Sequence, residues 1–530
     1  MDDSSVAGQI LDVARRGGAG PVFGLPGVHN LAFWNAGAAP VVVRHEQAAV
    51  YAADGWARTT GRLGAAVVTT GPGAANAVAA FGEAAAAHSP VLLVASEIPQ
   101  ALRREGRVRG VLHESRDQAG LFAPLAKAVF TPRTPAEVAD VVRDAVATAL
   151  RHPRGPVYVD VPADVLGQPA AALPPAAAPV VDAPTGLGEA AAVLSGRRVV
   201  VWAGGEVLDD ADALAALAGH LGAPVVTSFR GRGAVPTGHP SALGLPPHEP
   251  EAAALLASAD VLLAVGGDLD GMNTRNWTMP RPPHLVVVDA AVPADPPEWS
   301  ADATATGPLG AVLDGLRALL PPTPAWAPPG LRGTVLDRLR ADPATADALT
   351  LLDAVDGAVE GAGDAVLVCD MAVAGYWVGG YAAVRAPRRL AYPVGWGTLG
   401  FGLPAALGAA VSGMPVLAVC GDGGLMMALG ELATLVQERL PVTVLVVDDG
   451  GYGMLRYDQQ RAGHPERGVD LVTPDFTALA ASFGLAATDV GSVDALAPAL
   501  VAAVASGAPH LVRVPARLTP PRTTSPRWNE

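Results

Sequence analysis

The sequence predicts an α/β fold of three doubly wound parallel-sheet domains, on three observations. Short β-branched apolar runs, such as 64–68, 261–265 and 416–420, alternate with helix-period stretches along the whole chain, the pattern of βαβ crossovers joining parallel strands. Two Pro/Ala-rich segments, 168–186 and 320–330, lack either periodicity and read as linkers. At 530 residues the chain is too long for one core, and ordinary domain sizes divide it into about three. The units are 1–167, 186–319 and 331–520.

Half of the residues are hydrophobic (50%) and few are aromatic (5%), so the cores are built from small side chains; this is neither a disordered nor a membrane composition. The net charge is −15, and no Lys/Arg cluster is expected to break the acidic average. That argues against a nucleic-acid surface and favours small-molecule partners. The N-terminus, MDDSSVAGQILDVARRGG, lacks the basic region and apolar core of a signal peptide. No uninterrupted apolar run reaches the roughly eighteen residues of a membrane span. Cys369 and Cys420 each close a predicted strand and read as small core residues in a reducing cytoplasm.

The first unit opens with N-cap candidates at Asp2 to Ser5 and a helix over 6–16. A strand at 21–23 ends in Gly24-Leu25-Pro26-Gly27-Val28-His29-Asn30. A second, at 40–43, leads into Arg44-His45-Glu46-Gln47, where an alanine-lined helix starts and runs to residue 58. Glu46 stands in its first turn, where a carboxylate complements the helix dipole. Residues 64–96 give a strand, a glycine-rich turn, a helix carrying Asn76, and another strand. Residues 111–130 read as a loop turning into a helix, and a helix over 136–151 and a strand over 156–161 close the unit.

The middle unit has strands at 198–202, 224–227, 261–265 and 284–288. The first runs into Gly204-Gly205 and the third ends at Gly266-Gly267, but no full G-x-G-x-x-G occurs, so a structural role is the better reading than a dinucleotide site. The last unit opens with a helix over 348–359, a strand over 365–369 and a turn over 370–375.

Its centre is 416–456. A strand over 416–420 stops at Gly421-Asp422-Gly423-Gly424, a helix follows over 425–440, and a strand over 442–447 stops at Asp448-Asp449-Gly450-Gly451. Such a βαβ unit binds its ligand at the carboxyl ends of the strands. Glycines there let backbone N–H groups approach an anion, and the carboxylates suit a hard divalent cation, so the expected ligand is a metal diphosphate. The plan echoes 64–96: Gly71 and Pro90 bracket the first helix as Gly421 and Pro441 bracket the second, which suggests a duplicated domain. Beyond lie a helix starting at 452–458, helices at 475–483 and 493–505, a strand at 510–514, and a Pro/Arg/Thr tail expected to be mobile.

Gly421-Asp422-Gly423 with Asp449, the segment RHEQAAVYAADGWART (44–59) and the segment YPVGWGTLGFGLPAALGAAV (392–411) together resemble thiamine-diphosphate enzymes of the acetolactate synthase, benzaldehyde lyase and 2-oxo acid decarboxylase superfamily. The resemblance implies that Asp422, Asp449 and the Gly451 carbonyl hold Mg²⁺ against the diphosphate. Asp449 stands where Asn is usual, so one more negative charge faces the anionic cofactor. Gly421, Gly423, Gly424, Tyr452 and Asn76 join the cofactor-binding set.

Glu46 corresponds to the activating glutamate, hydrogen-bonded to N1′ of the aminopyrimidine so that the 4′ nitrogen can take the proton of thiazolium C2, and its apolar setting suits proton sharing. Gly397 corresponds to the residue whose carbonyl receives the 4′-amino group, and Leu399 to the wedge that imposes the V-shaped geometry. His113 stands where relatives place a glutamine facing the reactive end. His113 and His29 are imidazoles able to act as acid/base groups, or equally surface or capping histidines. Residues Tyr452 to Asp458 are candidates for substrate selection, and at Val373 and Ala374, where polar diphosphate contacts are common, only backbone N–H groups remain.

The implied activity is cleavage of a 2-oxo acid with loss of CO₂ and transfer of the resulting enamine to an acceptor carbonyl. Simple decarboxylation or an aldehyde-lyase reaction is the alternative. A silent homologue and a nucleotide-dependent oxidoreductase are the readings from other classes. Some acetolactate synthases hold FAD in the central domain, which the lone glycine pairs here do not favour. The family binds its cofactor between subunits, which implies a homodimer or homotetramer.

Overall fold

Three fully parallel sheets carry the chain, as expected. The computed structural model describes residues 4–528 apart from 38, 105, 175–182, 268, 292–297, 364 and 525–526; the central part of the first linker and the capping candidates Asp2 and Asp3 lie outside the described residues. The first sheet comprises β1 (Phe23–Gly24), β2 (Val41–Val42), β3 (Gly64–Val68), β4 (Val91–Glu97), β5 (Ala128–Phe130) and β6 (Val157–Pro162), in the order β2-β1-β3-β4-β6-β5. The second comprises β7 (Val199–Ala203), β8 (Val225–Thr227), β9 (Val261–Val265), β10 (His284–Asp289) and β11 (Ala303–Thr306), in the order β11-β10-β9-β7-β8. The third comprises β12 (Val366–Cys369), β13 (Leu390–Ala391), β14 (Val416–Gly421), β15 (Val442–Asp448), β16 (Ala486–Asp489) and β17 (His510–Pro515), in the order β13-β12-β14-β15-β17-β16. Counted from its own first strand, the third sheet repeats the order of the first, so the duplication glimpsed at 64–96 extends to the whole sheet.

Strand alternation sends successive side chains into different cores. In β3 and β4, Val67, Leu92 and Val94 pack with helices Val6–Arg16 and Pro135–Leu150, while Ala66, Val68 and Leu93 enter a core shared with the third sheet. In β14, Val416, Ala418 and Cys420 enter that shared core, and Leu417 and Val419 join the middle sheet's Trp202 and Val226 on the other side. Helices Glu46–Thr60 and Gly402–Ala410 cross inside the shared core with their backbones in contact. A Cβ on Gly55 would overlap the Ala405 carbonyl, and one on Gly408 the Ala52 carbonyl. Cys369 and Cys420 are free and buried, and burial pushes both thiols up, away from thiolate chemistry.

Several local expectations are corrected. The single helix over 425–440 is two, Asp422–Met427 and Glu431–Gln437. The break falls where Gly430 backs onto Arg44, and Glu431 Oε1 accepts the Arg44 N–H at 2.8 Å. The turn at 370–375 passes directly into a helix, Val373–Tyr381, which is buried almost all round and so shows no amphipathic period. Residues 111–130 form only a 3₁₀ turn, Ala119–Leu121, before β5. The short strands β5, β11, β13 and β16 and the helix Leu331–Ala341 were not anticipated. The C-terminal tail is docked rather than free. Thr523 and Thr524 are buried, the Trp528 ring stacks on His248 at 5.8 Å, and Trp377 Nε1 donates to the Thr519 carbonyl at 2.8 Å. Among the described residues no helix is long and apolar enough to cross a membrane.

The crossing helices yield a matched pair of substitutions. Gly408→Val should cost about 1–3 kcal/mol as overpacking, whereas Gly357→Ala, on helix Ala346–Gly361 with open space at its Cβ, should be neutral or stabilise by up to about 1 kcal/mol. Urea midpoints of the two variants against the parent measure both.

Candidate active site

The carboxyl ends of β14 and β15 lie side by side, because Val419 to Gly421 pair in register with Leu445 to Val447. Asp422 opens helix Asp422–Met427, is 1% exposed, and its Oδ2 accepts the Gly451 N–H at 2.8 Å, tying the two turns together. Around them lies a cavity of about 140 Å³ lined wholly by residues 371–455, including Leu399, Asp422, Asp449, Gly451 and Tyr452. The glycines are where backbone must pass a side chain closely: a Cβ on Gly423 would sit 2.8 Å from the Tyr452 ring, one on Gly421 would sit 2.9 Å from Ala372, and one on Gly453 would strike the Asp449 carboxylate.

Burial and the neighbouring Asp449 push the Asp422 carboxyl up to about 6. Burial also raises Asp449, and Arg456 opposes that shift. Asp449 Oδ1 makes no hydrogen bond, and Arg456 Nη1 stands 3.5 Å from it. Two carboxylates that destabilise each other, beside a backbone carbonyl and in a glycine-lined cavity, fit a hard divalent cation bridging to phosphate oxygens. The Arg456 guanidinium, 5% exposed, also bonds Asp470 Oδ1 at 2.9 Å, so it offsets the extra charge of Asp449 only in part.

Below this cavity the segment 395–400 is held by two groups that sequence reasoning missed. Asp370, 1% exposed, accepts from the Met371 N–H at 2.7 Å and the Gly400 N–H at 3.0 Å, fixing the turn that presents Gly397 and Leu399. Gly397 has φ +78° and Leu399 is half-buried. From the first sheet's side, Glu83 Oε2 accepts from Thr398 Oγ1 at 3.2 Å, and Glu83 in turn pairs with Arg58 at 2.9 Å. The only sequence hint for Asp370 was a carboxylate just past a strand end; Glu83, inside an alanine-rich helix, gave none.

The other cluster lies at the end of the first sheet. Glu46 is the first residue of helix Glu46–Thr60, 7% exposed, and its Oε2 accepts from Asn76 Nδ2 at 3.0 Å. A Cβ on Gly73 would stand 3.1 Å from Glu46 Oε1, so the start of helix Pro72–Ala86 closes over the carboxyl. The structure brings His29 and His113 together as well, ring centroids 5.4 Å apart and edge to face. His29 Nε2 and His113 Nδ1 are buried without hydrogen-bond partners. Burial, then His113, lower His29. His113 has φ +66°, its carbonyl packed where any Cβ on Gly71 would collide, and Gly71 N–H donates to the buried Gln118 Oε1 at 2.6 Å. Exposed apolar side chains flank both clusters: Val28 and Leu112 beside the histidines, Trp396, Met427 and Leu455 beside the cavity.

The expectation that no basic cluster interrupts the acidic average is also corrected. Arg103, Arg104, Arg107, Arg109 and Arg116 fall within 103–116, and a cavity of about 610 Å³ gathers four of them with Arg133. A chain-wide average hides a cluster this short.

A glycine-lined cavity holding two carboxylates on one parallel sheet, and a carboxyl hydrogen-bonded by an amide on its duplicate, fit a cofactor-dependent enzyme of two paired α/β domains. Comparison with known proteins agrees. Residues 4–121 match the thiamine pyrophosphate enzyme N-terminal TPP binding domain, 188–315 the central domain and 370–514 the C-terminal TPP binding domain. The chain is similar to a probable 2-ketoarginine decarboxylase of Pseudomonas aeruginosa, 32% identical over 505 residues covering 90% of this chain and 88% of the relative. It is similar to a probable acetolactate synthase large subunit of Methanocaldococcus jannaschii, 30% identical over 548 residues, covering 95% and 90%. It is also similar to the acetolactate synthase isozyme 3 large subunit of Escherichia coli, 30% identical over 508 residues, covering 88% and 86%. The chain therefore belongs to the thiamine pyrophosphate enzyme family, with the acetolactate synthases, and is a thiamine-diphosphate-dependent enzyme of the transferase or lyase type.

Asp370 titrates at about 6 instead of 3.8, because burial outweighs its backbone donors. The folded state thus keeps a proton that the unfolded chain releases, and stability present below pH 3.8 is lost as pH rises to about 6. Asp370→Asn should flatten the melting-temperature profile of the unloaded protein across that window relative to the parent; a parallel profile would contradict the assignment.

Proposed function

We propose that the protein decarboxylates a 2-oxo acid and joins the resulting fragment to an acceptor carbonyl. One observation supports this reading: a Glu46–Asn76 carboxyl clamp on one sheet and an Asp422–Asp449 cavity on its duplicate, which would be complementary parts of one cofactor site. When bound, thiamine diphosphate supplies the carbon nucleophile and electron sink for the chemistry. Asp422, Asp449 and the Gly451 carbonyl would hold Mg²⁺ against its diphosphate, and the N–H groups at Ala372 and Val373, which line the same cavity, would bind phosphate oxygens. The Gly397 carbonyl would receive the 4′-amino group, and Leu399 would keep the two rings angled. Glu46, oriented by Asn76, would share a proton with N1′ of the aminopyrimidine.

Because, among the described residues, those lining the Asp422 cavity all fall within 371–455, and exposed apolar side chains flank both clusters, the active unit would be a homodimer or homotetramer, with Glu46 of one chain facing the cavity of another. The buried free thiols suit a reducing, cytoplasmic setting. A second reading, release of an aldehyde instead of ligation, is favoured by the paired imidazoles of His29 and His113, which could deliver a proton to the product carbon. 2-Ketoarginine, named in one relative, carries a guanidinium that would meet the arginines at 103–116 unfavourably. A panel of 2-oxo acids, assayed for CO₂ and aldehyde with and without an acceptor aldehyde, tests both readings; CO₂ release that never couples to the acceptor rejects ligation.

Glu46→Gln is expected to abolish turnover while thiamine diphosphate still binds. Co-expression with inactive Asp422→Ala chains should then restore activity through hybrid dimers, and its failure would count against a site shared between chains. Asp449→Asn should keep or tighten Mg²⁺-dependent cofactor binding, followed by fluorescence quenching. Arg456→Met should weaken that binding more in the parent than in the Asp449→Asn background, because only the aspartate needs the guanidinium.

A further inference from the structure

The arginine-lined cavity between the end of β4 and the loop after His113 shares no lining residue with the Asp422 cavity. Its floor balances its own charge. Arg103 Nη1 lies 3.4 Å from Glu97 Oε2, and Arg133 Nη1 lies 3.2 Å from Asp160 Oδ1, with both carboxylates buried. The wall does not. Glu114 is occupied by the backbone N–H groups of Arg109, at 2.7 Å, and Val111, at 3.1 Å, and Asp117 by that of Gly120, at 2.9 Å. Arg104 donates only to the carbonyls of Ala101 and Arg103. Among the described residues no carboxylate lies within ion-pair distance of Arg104, Arg107 or Arg116, and all three line the cavity.

We infer that this cavity recognises a second anionic group, carboxylate or phosphoryl, on the tail of the 2-oxo acid, so that the substrate class is a dianionic 2-oxo acid. The inference rests on the 2-oxo acid reading above and deepens it. Place and chemistry agree. The cavity adjoins the reaction end of the site, since Glu114 and Ser115 in its wall directly follow His113. A guanidinium on the carboxylate that is to leave as CO₂ would hold the ground state back, whereas one on a remote tail binds ground and transition state alike and orients the carbonyl. On a chain of net charge −15 an anionic substrate is repelled at long range, so a local arginine cluster is what admits it. Planar guanidinium groups present the fork that matches carboxylate or phosphate oxygens. About 610 Å³ accommodates a tail of several atoms besides the charged group.

The test compares 2-oxoglutarate with 2-oxopentanoate, which differ only in the terminal carboxylate, on the Mg²⁺- and thiamine-diphosphate-loaded protein. The parent should prefer the diacid in kcat/KM by tenfold or more, mostly through KM. In Arg107→Ala/Arg116→Ala that ratio should fall to near one. A parent that prefers the monoacid, or a variant that lowers both substrates equally, overturns the inference. An arm without turnover separates it from the reading it rests on. Glutarate and 4-phosphonobutanoate, but not pentanoate, should bind the parent in calorimetry and lose binding in the variant, with retained circular dichroism confirming the fold. Absent turnover with intact glutarate binding would reject the 2-oxo acid activity and keep the anion site; absent binding of both dianions would reject the site. A preference for the phosphonate over glutarate identifies a phosphoryl tail, and the reverse a carboxylate.

Discussion

Two helices that touch backbone to backbone set the geometry on which everything else depends. Helix Glu46–Thr60 and helix Gly402–Ala410 approach so closely that Gly55 faces the Ala405 carbonyl and Gly408 the Ala52 carbonyl, which only glycine opposite alanine permits. That contact merges one face of the first sheet and one face of the third into a single core. Beside it a buried charge cluster ties helix Glu46–Thr60 to helix Pro72–Ala86 and to the strand-end residue Tyr392. Arg58 bonds Asp54 and Glu83 at 2.6 and 2.9 Å and donates to the Tyr392 carbonyl at 2.9 Å. One cation serves two buried carboxylates, so Arg58 is held protonated while burial, opposed by Arg58, pushes the Glu83 carboxyl up. Removing one member of such a cluster typically costs about 3–5 kcal/mol, since it strands the others. Glu83 also grips Thr398, so the same cluster that locks the domains positions the Gly397–Leu399 segment.

The cofactor cavity carries the opposite imbalance. Burial and then Asp449 raise the Asp422 carboxyl, burial raises Asp449, and Arg456 is shared with Asp470 and Glu466, so the protein alone leaves excess negative charge at the strand ends. A divalent cation would relieve that excess, and an anionic diphosphate would then balance the cation. In the proposed site cation and cofactor would thereby be coupled, each making the other's binding favourable, and an aspartate at 449 would sharpen this dependence while the buried guanidinium at 456 would moderate it.

Much of this was legible because glycine and carboxylate at the end of an apolar strand carry local chemical meaning. Asp422, Asp449 and the turns around them were placed by that rule, and Glu46 by a segment whose order of residues is distinctive. What escaped was tertiary. The short edge strands β11, β13 and β16 have too few residues to show alternation. Helix Val373–Tyr381 is buried on every side and so lacks a period. The helix after Asp422 breaks because Glu431 reaches back to Arg44 across 387 residues of sequence, a contact that no window of local sequence contains. Asp370 and Glu83 read as ordinary carboxylates until the turn at 395–400 is seen to hang from both. The tail's Pro/Arg/Thr composition resembles a free end, yet Trp528 finds His248 and Thr519 accepts from Trp377.

The division of labour between the two ends of the site follows from how each is built. The cofactor end rests on strand termini and helix starts whose positions the shared core dictates, so it tolerates little change. The proposed substrate end would be made of connections: the loop after β1 bearing His29, and the segment after β4 bearing the arginines and His113. Connections can be exchanged without disturbing a core. Relatives named as synthases and as a decarboxylase resemble this chain to a similar degree, 30–32%, so overall identity does not separate the two activities. In the proposed reading a few residues on these connections would decide the fate of the substrate carbon. His29, His113 and the guanidinium groups at 104, 107 and 116 lie on such connections, where in that reading they would meet the same substrate.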